Sequence, residues 1–313
     1  MKWGSYMMID VIIPTYKPDE KFKRLIEMLE RQTIPVNKMI IINTEEKYMD
    51  AFCVGNRFLA EHKKLSIHHI SQKEFDHGKS RNMGVKKSQA DIFIFMTQDA
   101  VPQDEYLIEQ LIKPLTDKRV ACAYARQLPD ENSTMVEQLT RNFNYPDKSC
   151  IKAKEHLSKL GIKTYFCSNV CCSYNAQIFR ELKGFINHTI FNEDMIYAAK
   201  AIQKGYRIAY VADAEVVHSH NYTGKQQFHR NFDLGVSQAD HPEIFEGISS
   251  ESEGIKMVKE TIGRLKESGY GKEVPGYIVT SGCKFIGYRL GKAYKKLPMW
   301  LIRKCTMSPM YWK

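Results

Sequence analysis

The chain reads as an α/β protein: a Rossmann-like, mixed but mostly parallel sheet flanked by helices, followed by a helical appendage. Three observations predict this. Short apolar runs, MIDVIIP, KMIIIN and IFIFM, recur through the first hundred residues. Between them lie segments with apolar residues at helical spacing, and strands alternating with helices imply parallel pairing with both faces covered. From residue 241 onward the strand-like runs stop, and helical, increasingly basic sequence takes over. Residues 1–240 are therefore expected to form the main domain and 241–313 the appendage.

Taken in order, residues 8–13 are an apolar, β-branched run ended by Pro14, the pattern of a buried strand. Residues 19–32 place Phe22, Leu25, Ile26 and Leu29 on one helical face, and 38–43 form a second strand. A helix over 51–62, a strand over 65–70, a helix over 80–88 and a strand over 91–96 continue the alternation. Further on, 105–115 reads as a helix, 121–126 as a strand, and 128–148 as a polar connection containing Pro and Asn. The pattern then gives a strand over 165–174, helices over 176–182 and 191–204, and a last strand over 206–220. Residues 1–7 fit no element. At 313 residues and 43% hydrophobic content, the chain can fill a sizeable core.

The net charge of +10 is not spread evenly. Eight basic residues and no acidic ones lie between Lys284 and Lys313, leaving only +2 for the first 283 residues. The basicity is a property of that last stretch, where KFIGYRLGKAYKKLPMWLIRK interleaves aromatic and aliphatic residues with cations. Such a stretch suits the headgroup region of an anionic membrane, or a basic helix packed on the main domain. Nucleic acid is not expected as a partner, because the cations belong to no recognisable binding module. The eight cysteines are scattered without paired C-x-x-C units, so they read as reduced thiols rather than a disulfide frame or zinc site. With no cleavable leader and no long apolar span, the expectation is a cytoplasmic protein, peripheral at the inner face of the plasma membrane.

In sheets of this kind, ligands bind beyond the carboxyl ends of the strands. Four polar clusters fall there: Pro14-Thr15-Tyr16, Asn43-Thr44-Glu45, the stretch FDHGKSRN, and Thr97-Gln98-Asp99. Asp99 alone could be a turn former or helix cap. In the company of the other clusters, it suits a divalent cation bridging a diphosphate. The GKS at 78–80 is not a phosphate loop, since Lys73 stands where a Walker glycine is needed. His77, Lys79 and Arg81 still gather cationic groups around a loop-to-helix junction. Glu193 and Asp194 open a helix, where they could complement its dipole or serve chemistry. His218 and His220, two apart on an extended segment, share one face.

The ordered set VIIPTYK, FDHGKSRNMG, FMTQDAVP, CSYNAQIFRELKGF, FNEDMIYAAKAIQKGY and VVHSH resembles the inverting family 2 glycosyltransferases of GT-A fold, over residues 8–240. It is most similar to their rhamnosyltransferase branch, in which F-x-H-G-x-x-R-N and T-Q-D-A occur. The resemblance implies a metal-dependent enzyme of surface-polysaccharide assembly that takes a nucleotide-diphosphate sugar, deoxythymidine-diphosphate rhamnose first. Another sugar nucleotide, or a non-catalytic sugar-nucleotide-binding membrane scaffold, are the alternatives. Carried over by position, Pro14, Thr15 and Tyr16 would line the nucleotide pocket, with Glu45 near the base and Arg81 near the base or diphosphate. His77 and Lys79 join the donor side. Asp99 matches the last carboxylate of the D-x-D motif, whose first carboxylate is here Thr97, so ribose recognition falls to Thr97 or Gln98. Asp194 would be the base that deprotonates the acceptor hydroxyl, and Glu193 a positioning residue or substitute base. His218 would complete a Mn²⁺ or Mg²⁺ site with Asp99, imidazole favouring Mn²⁺. The implied acceptor is a saccharide or lipid-linked saccharide.

Overall fold

The structure, a computed structural model, describes residues 7–54, 57–248 and 250–312. Among the described residues, nine strands form one sheet: β1 (Ile9–Tyr16), β2 (Lys38–Thr44), β3 (Leu65–Ile70), β4 (Ile92–Met96), β5 (Val101–Pro102), β6 (Val120–Leu128), β7 (Cys150–Lys152), β8 (Cys171–Asn175) and β9 (Arg207–Val217). The order is β3-β2-β1-β4-β8-β6-β9-β5, with β7 sharing an edge of β9. The first four strands are mutually parallel, β8 enters antiparallel between β4 and β6, and β6 and β9 are again parallel. The carboxyl ends of β1, β2, β3 and β4 therefore share one rim, as expected.

The continuous apolar runs follow from burial on both faces. Val11, Ile13, Ile41, Ile94 and Met96 meet helix Glu20–Glu30 and helix Leu107–Ile112 on one side. Their alternates Ile12, Ile40, Ile42, Phe93 and Phe95 join Phe179, Tyr174 and helix Glu193–Gln203 on the other. Each fully buried side chain of this kind contributes about 1.5–3 kcal/mol. Asp10 is tolerated within β1 because its carboxylate accepts from Ser88 Oγ at 2.6 Å and Asn37 Nδ2 at 2.8 Å.

Four elements differ from the pattern reading. The helix expected over 51–62 is two helices, Glu46–Cys53 and Phe58–Glu61, since the chain turns extended at Val54. The helix over 105–115 becomes α over Leu107–Ile112 and 3-10 over Lys113–Thr116, where Pro114 lacks the N–H an α-helix would use. The connection 128–148 contains helix Met135–Asn144, capped by Thr134 Oγ1 on the Glu137 N–H. Of the strand over 165–174 only Cys171–Asn175 forms. Backbone carbonyls of Lys163 and Phe166 instead accept from the buried Lys152 ammonium.

Beyond β9, helix Gly224–Asp240 runs against helix Val274–Lys292 at backbone contact. A Cβ on Gly235 would lie 2.4 Å from the Tyr288 carbonyl oxygen, on Gly287 2.3 Å from that of Phe228, and on Gly291 2.1 Å from that of Phe232. Only glycine fits this seam. No helix among the described residues is long and apolar enough to cross a membrane. All eight cysteines are free.

Candidate active site

Asp99 sits in the turn that links β4 to β5, where the rim meets the end of β9. His218 and His220 follow β9 directly. Their Nε2 atoms lie 3.6 Å and 3.4 Å from Asp99 Oδ2. The three ligand atoms fall within 4.8 Å of one another, close enough to hold one cation. Sequence reasoning chose His218; the fold adds His220. The two rings meet edge to face at 4.6 Å.

The tautomer of His218 is fixed from behind. Its Nδ1 lies 3.0 Å from Gln127 Oε1, which also accepts from Arg141 Nη1 at 2.5 Å. Gln127 Nε2 donates to Tyr145 Oη at 2.6 Å and Ser168 Oγ at 3.0 Å, so both halves of the amide have assigned roles. An oxygen facing Nδ1 requires the proton there, which leaves the Nε2 lone pair turned toward Asp99. Burial pushes His218 down to about 3 despite the Asp99 carboxylate, so the ring is a neutral donor. His220 is lowered as well, chiefly by burial. One carboxylate and two neutral imidazoles form a donor set that fits Mn²⁺ better than Mg²⁺.

The same network reaches the second acid. Ser168, held by Gln127, precedes Asn169, whose backbone N–H donates to Asp194 Oδ2 at 2.9 Å; Met195 N–H donates to Oδ1 at 2.8 Å. The Asn169 side chain donates to Glu193 Oε1 at 3.1 Å and accepts from Tyr174 Oη at 2.7 Å. Thr97 N–H bonds the Val170 carbonyl at 3.1 Å, pinning this loop to the β4 end. Asp99 faces the free Nε2 of His218, and His218 is tied to Asp194 by the hydrogen bonds of Gln127 to Ser168 and of the adjoining Asn169 N–H to the carboxylate.

The two neighbouring acids have opposite electrostatics. Burial pushes Glu193 up, but the Arg81 guanidinium at 3.2 Å, His77 and the Asn169 amide outweigh it and hold it below the usual carboxylate range. Asp194 has no such cation. Burial, then the Glu193 charge, push it up to about 8. Glu193 takes the negative charge and Asp194 the proton.

The remaining rim residues divide between structure and open surface. Asp76 caps helix His77–Lys86 through Lys79 N at 2.7 Å and also accepts from Thr189 N at 3.1 Å. Gly78 and Asn82 are packing residues. A Cβ at Gly78 would lie 1.9 Å from the Ile186 carbonyl oxygen, and Asn82 bonds both backbone groups of Phe185. Arg81 is buried on Glu193 and the His77 carbonyl, with Nε free of a partner. The Lys79 side chain is exposed. Burial lowers the His77 imidazole, with Glu193 opposing. Gln98 clasps the Tyr16 backbone, accepting from its N–H at 2.8 Å and donating to its carbonyl at 3.0 Å. Thr97 Oγ1 is buried without a partner. Thr15 is buried in β1, beside Pro14. Glu45 Oε1 accepts from Gln72 N at 2.7 Å.

Two cavities flank this machinery. One, of about 280 Å³, opens beside the ends of β1 and β2 against Tyr16, Thr44, Phe75 and His77. The other, of about 270 Å³, contains His218, His220, Ser168, Arg141, Arg230 and Lys284. Sequence reasoning missed Gln127, Arg141, Asn169, Arg230 and Lys284. They come from separate parts of the chain, and Lys284 belongs to the basic stretch read as a membrane surface.

The profile of glycosyl transferase family 2 matches residues 10–183. O-antigen chain rhamnosyltransferase RfbN of Salmonella typhimurium is 40% identical over 311 residues, covering 98% of this chain and 96% of its own. O-antigen chain rhamnosyltransferase WbaN of Salmonella anatum is 37% identical over 308 residues, covering 96% and 95%. Among solved structures, the mannosyltransferase PcManGT of Pyrobaculum calidifontis, in complex with GDP-Man and Mn²⁺, aligns with TM-score 0.57 at 14% identity, over 98% of this chain and 85% of that one. TarS residues 1–349 of S. aureus align with TM-score 0.51 at 13% identity, over 93% and 92%. At such identity the likeness concerns the fold alone, the GT-A arrangement.

Proposed function

Because the chain belongs to glycosyl transferase family 2, we propose that it transfers L-rhamnose, with inversion, from deoxythymidine-diphosphate rhamnose to a saccharide or lipid-linked saccharide in bacterial surface-polysaccharide synthesis. The observation that carries this reading is the connection from the Asp99–His218–His220 cluster to Asp194, made by hydrogen bonds of Gln127 to His218 and Ser168 and of the adjoining Asn169 N–H to Asp194. A donor-side and an acceptor-side group are thereby held in one rigid frame. Two relatives named as O-antigen chain rhamnosyltransferases, matched nearly end to end, support the sugar and the pathway.

Asp194 is the base. Its carboxylate takes the proton of the acceptor hydroxyl as that oxygen attacks the anomeric carbon, on the face opposite the departing diphosphate. Its neighbour Glu193 stays ionised and raises the basicity of Asp194 by charge repulsion. Transfer should therefore rise with pH and level off near the Asp194 value of about 8. Asp99, His218 and His220 would hold a divalent cation, Mn²⁺ before Mg²⁺, which supplies charge stabilisation to the leaving diphosphate. Arg141, Arg230 and Lys284 line the same cavity and add fixed positive charge where negative charge develops. Pro14, Thr15, Tyr16 and Glu45 border the nucleotide, with Gln98 on the ribose side. Arg81 acts through Glu193.

The enzyme works at an anionic membrane surface, peripheral at the inner face of the plasma membrane. Ile278, Val279, Phe285 and Ile286 fall at positions i, i+1, i+7 and i+8 of helix Val274–Lys292 and are each more than half exposed. Trp300, also exposed, lies 5.3 Å below the Lys304 ammonium. An apolar stripe flanked by cations suits the headgroup boundary.

The deciding experiment incubates the protein with a panel of sugar nucleotides and membrane extract, followed by mass analysis of the glycolipid. A deoxyhexose increment from the deoxythymidine donor is expected. Transfer from uridine donors in its place would overturn the rhamnose assignment.

A further inference from the structure

The cavity beside β1 and β2 is not closed by the family-matched region. Its outer side is residues 307–311, more than 120 positions beyond the end of the profile match at residue 183. That segment is fastened in place. Asp233, 2% exposed on helix Gly224–Asp240, accepts from Thr306 Oγ1 at 2.6 Å and from Met307 N at 3.0 Å. Ser308 N donates to Thr306 Oγ1 at 3.0 Å, and the Tyr311 ring stacks on His188 at 4.6 Å and 13°. A carboxylate is buried at a cost unless its oxygens are satisfied, and here both are satisfied by this one segment.

The lining has the chemistry of a slot for a flat heteroaromatic ring. Tyr16 and Phe75 line it from the strand ends and the loop after β3, Met307 and Met310 from the segment after residue 306, and Thr44 and Gln72 add polar groups. Aromatic faces and polarizable thioethers grip a π-system, while edge donors and acceptors fix its orientation. The slot lies at the carboxyl ends of β1 and β2, where nucleotides settle in open α/β sheets.

We propose that residues 307–311, anchored by Asp233, form the outer wall of the donor's nucleobase pocket, with Met307 and Met310 selecting a 5-methylated pyrimidine. The inference rests on the sugar-nucleotide reading above. It makes base choice a property of the appendage rather than of the family-matched half. Asp233 is a positioning residue, since it reaches the base only through the wall.

The test measures calorimetric Kd for dTDP and for dUDP, which lacks only the 5-methyl group, and KM for donor and acceptor separately, on the full chain and on Met310→Ala and Asp233→Asn. Wild type is expected to prefer dTDP by about tenfold, the scale of one methyl group in an apolar pocket. Met310→Ala should narrow that gap and raise dTDP Kd and donor KM together by about tenfold, with kcat and acceptor KM retained. Asp233→Asn should shift the same two constants in the same direction, and the double variant should be no worse than Met310→Ala alone. Met310 is half exposed, so its truncation leaves folding intact. An unchanged dTDP Kd in Met310→Ala, or a rise in acceptor KM alone, overturns the wall while leaving the donor reading standing. A wild type that binds neither nucleotide overturns both.

Discussion

Asp194→Asn separates the charge of this side chain from its shape, and its consequence for stability can be worked out. In the fold the carboxyl is pushed from 3.8 up to about 8. The native chain therefore keeps a proton that the unfolded chain has lost, and native stability declines as pH rises between those two values. The slope is about 1.4 kcal/mol per pH unit. Between pH 5 and pH 7 the wild type should lose roughly 3 kcal/mol from this one group, a loss that Asn escapes. In a chain of this size, the melting temperature of the variant should gain about 6 °C on the wild type over that interval. Asn also gives up one acceptor for the Asn169 and Met195 N–H groups, a pH-independent cost of about 1–3 kcal/mol. The slope, rather than the offset, is therefore diagnostic. Calorimetry of both proteins at pH 5, 6 and 7 reads it directly. Sugar transfer should fall by about 10²–10⁴ while dTDP binding persists. A stability difference that is flat with pH would refute the raised carboxyl. Undiminished turnover would refute the base.

Three further outcomes are expected. His220→Ala should remove most of the rise in melting temperature that Mn²⁺ gives the wild type, and Gln127→Ala should weaken Mn²⁺ binding about 10–100-fold by freeing the His218 ring; titration with Mn²⁺ alone checks both. Arg81→Met should destabilise by about 3–5 kcal/mol because it strands the buried Glu193 charge, and adding Glu193→Gln should recover part of that loss in denaturant unfolding. Replacing Val279 and Phe285 by Glu should abolish sedimentation with anionic vesicles at unchanged melting temperature, since both side chains face solvent; persistent sedimentation would locate the membrane contact elsewhere.

What could be read from the sequence followed from local pattern. β4 is apolar at every position, and β1 and β2 through their centres, because both faces are buried, and Phe22, Leu25, Ile26 and Leu29 sit on the buried face of their helix as their spacing requires. Asp99 and Asp194 stood out because each closes or opens such an element. Helix Met135–Asn144 is masked in the sequence by the Pro and Asn around it, although Thr134-Met-Val-Glu137 carries a Thr-x-x-Glu start signal. The aromatic and Cys run at 165–174 looked like a strand throughout. Its first half stays irregular because Asn169 must turn toward Glu193 and Asp194. Gln127 and His218 are 91 positions apart and meet only because β6 and β9 pair in parallel. No local pattern encodes that encounter, nor the approach of residues 307–311 to Tyr16.

The glycine seam between helices Gly224–Asp240 and Val274–Lys292 has a mechanical consequence. With backbones in contact at Gly235, Gly287 and Gly291, the pair can neither slide nor roll, so it behaves as a single strut. Arg230 and Lys284, one from each helix, project from that strut into the cavity beside the two histidines, and Ile278 and Phe285 project from it outward. Whatever surface receives the outward side chains thereby sets the tilt of the whole cleft, and a lipid-borne alcohol would meet the cavity at one fixed angle.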